Sequence, residues 1–217
     1  GWPMWPEELR EPTYPGVQAF EQAHAGLVEF HAWLQWLADE QLGEAQALGR
    51  KLGMPIGLYG DYAVGVNPSG SETWSDQALY RKGAGVGAPP DALALKGQDW
   101  GIPPQDPNVL MAEQYRPFRN LVAANMRHFG ALRLDHVMAL FRQWWVPVGL
   151  GSIAGGYVHY PLDDLMSVLA LESERHGCLV IGEDLGTVPP EMSHAMDDRA
   201  VYSYRVLLFA KRADGSF

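Results

Sequence analysis

The sequence predicts an α/β fold: part of a (β/α)8 TIM barrel interrupted by a long irregular insertion. Three observations carry this prediction. Short apolar runs alternate with segments of helical period along most of the chain. At least three of those runs end in acid, at Asp61, Asp135 and Glu183, and carboxylates at the C-terminal ends of successive parallel strands are the layout of a barrel active site. A doubly wound sheet, the alternative, places a glycine-rich phosphate turn after its first strand. Gly83, Gly85 and Gly87 do not fit that role, because no strand precedes them and Pro89 and Pro90 follow.

The elements follow in order. Residues 1–16 hold Trp2, Trp5 and four prolines, an irregular extended start. From Val17 a helix is expected, with Phe20, His24, Leu27, Phe30, Leu34 and Leu37 at steps of three or four. A second helix covers roughly Gly43 to Leu52, and Gly53 stops it. Met54 to Asp61 reads as a strand. Residues 62–115 are rich in Gly, Pro and Asp and show little period, and a loop of that length is functional or a small subdomain. A helix around Pro117–His128 precedes a strand over Gly130–His136. Val137–Val146 reads as helical, Gly149–Gly156 as a loop, and Leu162–His176 as a helix ended by Gly177. Cys178–Ile181 is a strand running into Gly182-Glu183-Asp184, and Tyr204–Phe209 is a fourth strand. The chain thus divides into 1–61 (helices and the strand ending at Asp61), 62–130 (the insertion) and 131–217 (the strands with Asp135 and Glu183), all within one incomplete catalytic domain.

Composition narrows the function. Of 217 residues, 47% are hydrophobic and 19% charged, an ordinary globular balance. A net charge of -10 argues against nucleic acid, whose phosphates need a basic face. No apolar run approaches the length of a membrane helix. The single cysteine, Cys178, permits no intrachain disulfide and fits a reducing compartment, so a cytoplasmic location is expected. The chain opens on Gly1 without a methionine, so either its start was processed or it is cut from a longer polypeptide.

Two carboxylates stand out chemically. Arg133 and Asp135 are two apart on a strand, so both point to one face. An adjacent guanidinium favours an ionised Asp135, as a glycosidic nucleophile requires. The same pair would serve equally as a stabilising ion pair. Glu183 ends an apolar strand, where a partly apolar pocket would keep it protonated as a general acid. Together they read as the unequal pair of a retaining mechanism, with carboxyls roughly 5 Å apart. Alternatively, Glu183 is an acid favoured by a helix N-terminus. Trp100, inside the long loop, suits stacking on the C–H face of a sugar. His136 fits a neutral imidazole donating to a substrate hydroxyl, or a core histidine. The histidines show no metal spacing, and neither metal nor cofactor is expected.

These residues together resemble the 4-α-glucanotransferases, or amylomaltases, of the α-amylase clan. Arg133-Leu134-Asp135-His136 resembles the clan's nucleophile strand, and Gly182 to Pro189 its acid/base strand. More specific is the pairing of Gly87-Ala88-Pro89-Pro90-Asp91 with Gly97-Gln98-Asp99-Trp100-Gly101-Ile102-Pro103, which is similar to the family's loop over the acceptor side. Gly60-Asp61 and Tyr157 to Pro161 also match. The resemblance implies that Asp135 is the nucleophile and Glu183 the acid/base. It implies that Arg133 orients Asp135, and that Asp61, Gln98, Trp100, His136 and Asp184 contact or support maltodextrin donor and acceptor sugars. The family's third essential aspartate, in a His-Asp block, has no match; Asp197, Asp198 and Asp214 sit in other contexts. The resemblance also implies that the chain holds about the third to sixth barrel strands, with the insertion after the third, and lacks the first two and last two; the expected partner is therefore the missing remainder of the same catalytic domain, and the isolated chain is expected to be inactive. An α-glucan hydrolase of the same clan and a non-catalytic α-glucan-binding paralogue are the rival readings.

Overall fold

The computed structural model describes residues 1–217 except 93, 186, 187, 205, 208–214 and 217. Two short 3-10 turns precede α1 (Pro15–Ala23), where Pro15 takes a first-turn position in which its missing N–H costs nothing. His24 breaks the helix at φ -123°, and α2 (Ala25–Lys51) follows without the second break expected before Gly43. Gly53, at φ +83°, stops the chain as read from sequence. The apolar stripe of these two helices stays in contact with solvent: Phe20, Leu27, Phe30, Trp33, Leu34 and Trp36 are all exposed. Only Gln46 and Gly49 of α2 are buried. Gln46 clips the next segment in place, its amide donating to the Ile56 carbonyl at 3.1 Å while its Oε1 accepts from the Leu58 N–H at 2.6 Å.

The strand expected from Met54 starts later, as β1 (Tyr59–Tyr62), because Gly57 stands at φ +74° and cannot extend it. Beyond it lie α3 (Ser71–Ser75), β2 (Ala84–Ala88), β3 (Gln98–Ile102), α4 (Pro107–Ala112), α5 (Arg116–Met126), β4 (Ala131–Leu134), β5 (Arg142–Pro147), β6 (Gly156–His159), α6 (Leu162–His176), β7 (Leu179–Gly182), α7 (Pro190–Asp198) and β8 (Tyr202–Ser203). They build two sheets. One is parallel, in the order β1-β4-β7-β8; the other is antiparallel, in the order β3-β2-β5-β6.

The antiparallel sheet departs most from the sequence reading. The stretch 62–115, read as a functional loop or a small subdomain, contains β2 and β3. Val137–Val146 is not a helix but a 3-10 turn (Val137–Leu140) followed by β5. The sheet therefore draws strands from both sides of residue 130. The glycine-rich β2 has low strand propensity, yet its bare backbone is what permits the pairing: a Cβ on Gly87 would lie 1.9 Å from the Gln98 carbonyl oxygen. The apolar run 137–146 fits a buried strand as well as a helix, and period alone does not separate them.

Helix α6 falls where its period placed it, with Asp163 and Asp164 in the first turn and Arg175 and His176 in the last, each complementing the helix dipole. Helix α7 was not anticipated, although Pro189-Pro190 marks its start. It begins seven residues after Glu183, so Glu183 is not a helix N-terminal acid. β8 precedes the fourth strand expected at Tyr204–Phe209, and residues 205, 208 and 209 of that expectation lie outside the described residues.

The core lies between the parallel sheet and its helices. Leu132, Leu134 and Val180 point outward into Phe118, Val122 and Met126 of α5, Leu165, Met166 and Leu169 of α6, and Met192 and Met196 of α7. Each such buried side chain contributes about 1.5–3 kcal/mol. The other face of the strands exposes Tyr59, Asp61, Leu179 and Tyr202, with Arg133 and Ile181 partly buried among them and Ala131 buried. Among the described residues, no helix is long and apolar enough to cross a membrane.

Candidate active site

Sheet register brings the acidic residues together. Leu134 pairs with Gly182, so Asp135 and Glu183 leave β4 and β7 side by side, on strands spaced about 4.8 Å apart. Asp61 pairs with Arg133 one layer below. The alternation of β4 puts Arg133 and Asp135 on one face, as the sequence predicts. The Arg133 guanidinium donates to Asp61 at 2.7 Å and to Asp135 at 2.8 Å. Those two carboxylates hold its pKa above the usual arginine value, with the Asp61 hydrogen bond contributing most. Asp61 and Asp135 are partly exposed and Arg133 is half-buried between them.

Glu183 is held differently from expectation. Its carboxylate accepts the His136 backbone N–H at 2.9 Å and the Leu185 N–H at 3.2 Å. His136 adopts the left-handed conformation, φ 50° and ψ 62°. Burial of its ring lowers the imidazole pKa, against the opposing pull of Glu183 and Asp135, and favours the neutral form. The Trp100 ring meets the His136 ring edge-on, with centroids 5.4 Å apart, and its Nε1 donates to Gln98 Oε1 at 3.0 Å. Gln98 and Trp100 share one face of β3, so the insertion delivers both to the rim of the parallel sheet.

Asp184 points elsewhere: it accepts the Tyr204 backbone N–H at 3.1 Å. Its role is to pin the end of β8, and no contact joins it to Asp135 or Glu183 among the described residues. Two residues of this neighbourhood were missed in the sequence. The Tyr204 ring lies 5.4 Å from the Arg133 guanidinium. Tyr59 lies two before Asp61, a spacing that signals the shared face, and burial raises its phenol pKa against the opposing charge of Arg133.

A parallel sheet rimmed at its C-terminal edge by paired carboxylates, an arginine and an aromatic-bearing insertion belongs to an α/β enzyme. The family model described as 4-alpha-glucanotransferase matches residues 1–217, and the chain belongs to that family. A 4-alpha-glucanotransferase of Haemophilus influenzae is 47% identical over all of this chain and 31% of its own length. One from Mycobacterium tuberculosis is 44% identical over 98% of the chain and 29% of its own length. The crystal structure of amylomaltase from Corynebacterium glutamicum superposes with a TM-score of 0.84 at 41% identity, over 87% of this chain and 27% of that one. Amylomaltase from Streptococcus agalactiae, solved with acarbose, shares the fold with a TM-score of 0.83 at 18% identity, over 96% of this chain and 43% of that one. The chain thus spans about a third of the length of the curated relatives it matches first.

Proposed function

We propose that this chain supplies the nucleophile and acid/base of a 4-α-glucanotransferase whose catalytic domain extends beyond these residues. The observation that carries the reading is the register that seats Asp135 and Glu183 side by side, with Arg133 bound to the first and the His136 N–H to the second.

In the first step the Asp135 carboxylate attacks C1 of the donor glucose. The glycosidic C1–O bond breaks, and protonated Glu183 passes its proton to the leaving oxygen. In the second step the 4-hydroxyl of an acceptor glucan attacks C1 and releases Asp135, while its proton goes to the Glu183 carboxylate. Two inversions retain the α configuration. Arg133 aims the Asp135 carboxylate through its 2.8 Å hydrogen bond. Gln98, Trp100 and His136 form one wall for the sugars, and Asp61 completes the Arg133 bridge. Asp184 supports the rim through Tyr204 rather than by touching sugar.

The parallel sheet is read as the third to sixth strands of a (β/α)8 barrel, the insertion lying over the acceptor side. The exposed inner faces of its strands and the uncovered aromatic stripe of α1 and α2 support this. The remaining strands and a third carboxylate come from the rest of the polypeptide, and residues 1–217 alone are inactive. A cytoplasmic site of action fits maltodextrin substrates.

The test is incubation of the intact polypeptide with maltotriose. Longer maltodextrins together with free glucose are expected. Reducing ends rising one for one with bond cleavage mean a hydrolase instead. Asp135→Ala should abolish turnover and leave maltodextrin binding nearly intact, and surviving turnover removes Asp135 as nucleophile.

A further inference from the structure

We propose that His136 is a positioning residue whose left-handed backbone, rather than its ring alone, places Glu183 for proton transfer. The inference rests on the functional reading above and goes beyond it by assigning what holds the acid/base.

The argument comes from the last rungs between β4 and β7. In a parallel ladder the bonds are evenly spaced. Since Leu134 pairs with Gly182 and the Leu134 carbonyl accepts the Glu183 N–H at 2.9 Å, the next rung of a regular ladder runs from the His136 N–H to the Glu183 carbonyl. That rung is displaced by one residue. The Val137 N–H, not that of His136, donates to the Glu183 carbonyl at 3.0 Å. The turn at His136, φ 50° and ψ 62°, makes the shift. It frees the His136 N–H, which donates to Glu183 Oε2 at 2.9 Å.

One left-handed residue therefore grips Glu183 twice, its backbone through Val137 and its carboxylate through His136. The Glu183 Oε1 atom is fixed separately by the Leu185 N–H. Histidine enters the left-handed region more readily than most residues with a Cβ, and Trp100 packs edge-on against its ring. Asp135, immediately before the turn, stays in the ladder through its own N–H to the Tyr62 carbonyl at 3.0 Å. The turn thus separates a nucleophile held by regular strand geometry from an acid/base held by the break in it.

The test is a series in the intact polypeptide that removes the ring throughout and varies only the backbone preference: His136→Gly, His136→Asn, His136→Ala and His136→Val. Gly and Asn accept the left-handed region, whereas Ala and Val resist it. With maltotriose, Gly and Asn should exceed Ala and Val in kcat by about 5- to 30-fold, the cost of one forced left-handed residue. The same four are then assayed with α-maltosyl fluoride and azide. Fluoride leaves C1 as an anion without a proton, and azide attacks C1 and displaces Asp135 without giving one up, so neither step needs Glu183. Here the four variants should fall within about twofold of one another, the scatter of independent substitutions.

Equal kcat across the series on maltotriose overturns the proposal. So does a spread that persists with fluoride and azide, which means a general disturbance of the rim. Should the Val variant fail to fold, the Gly and Ala pair decides on the same criteria. Glu183→Ala is the reference. If it keeps maltotriose transfer, the acid/base assignment fails; if it shows fluoride–azide rescue while the His136 series does not, only the positioning role fails.

Discussion

Arg133 hydrogen-bonds two carboxylates at once, Asp61 on β1 and Asp135 at the end of β4. Adjacent strands contribute to one ion bridge because Asp61 and Arg133 share a register layer, while Asp135 follows Arg133 at period two. A planar guanidinium has two donor edges for this, and a lysine ammonium does not.

Arg133→Lys should therefore lower kcat for maltotriose disproportionation in the intact polypeptide by about 10- to 150-fold, the range for losing a hydrogen bond to a charged group. Steady-state kinetics on maltotriose checks this. Wild-type kcat in the lysine variant would mean the bridge is only structural.

Asp106 gives a pH-dependent term. Burial alone would raise its pKa, but hydrogen bonds from Arg81 and from the Asn108 and Val109 N–H groups outweigh it and hold the carboxylate below its usual 3.8. Its stabilising contribution is thus full above pH 3.8 and is lost as the pH falls from there through the lowered folded value. Asn caps helices as well as Asp, so Asp106→Asn can keep the α4 cap through its one oxygen while losing the charge and the acceptor that faces Arg81. Denaturant unfolding should show a loss of about 1 kcal/mol at pH 7, modest because Arg81 is half in solvent. The gap between the variant and the wild type should narrow as the pH falls below 3.8, and a constant gap between them would refute the ion-pair account.

Gly130 joins α5 to β4 with no room for a side chain. A Cβ there would lie 1.8 Å from the Ile56 carbonyl oxygen, a backbone atom that cannot swing away. Gly130→Ala should destabilise by about 1–3 kcal/mol or more, whereas Gly83→Ala, whose Cβ meets nothing within 4 Å, should stay within about 0.5 kcal/mol of wild type. Thermal unfolding distinguishes them, and similar melting temperatures for the two variants would show that the chain relaxes around residue 130.

Cys178 is buried beneath the start of β7, and burial pushes its thiol up to about 11. At pH 8 a disulfide reagent should leave the folded protein unlabelled and modify this thiol only in denaturant. Rapid labelling of the native protein would show that this part of the core opens.

Much of the site was legible because its signals are local. Period two set Arg133 beside Asp135, and acid at the ends of apolar runs marked Asp61, Asp135 and Glu183. The helix over 162–176 carried its own C-terminal glycine and dipole charges. What was not legible depended on partners far along the chain. β2 is a strand only because β3 and β5 flank it, and its glycines carry no strand preference of their own. The run at 137–146 is apolar enough for either element, and pairing with β2 and β6 decides it. Asp184 matched a motif, and that its Oδ1 accepts the Tyr204 N–H could not be read from it.

The sequence by itself determined the family and the α/β class and singled out the two candidate carboxylates, because residue type and short spacing survive without knowledge of neighbours. Only the tertiary structure decided how those carboxylates are held. The bridge through Arg133 and the grip of the His136 N–H on Glu183 depend on strand register and on one left-handed backbone, and hydrogen-bond geometry across strands is not written in the order of residues along one of them.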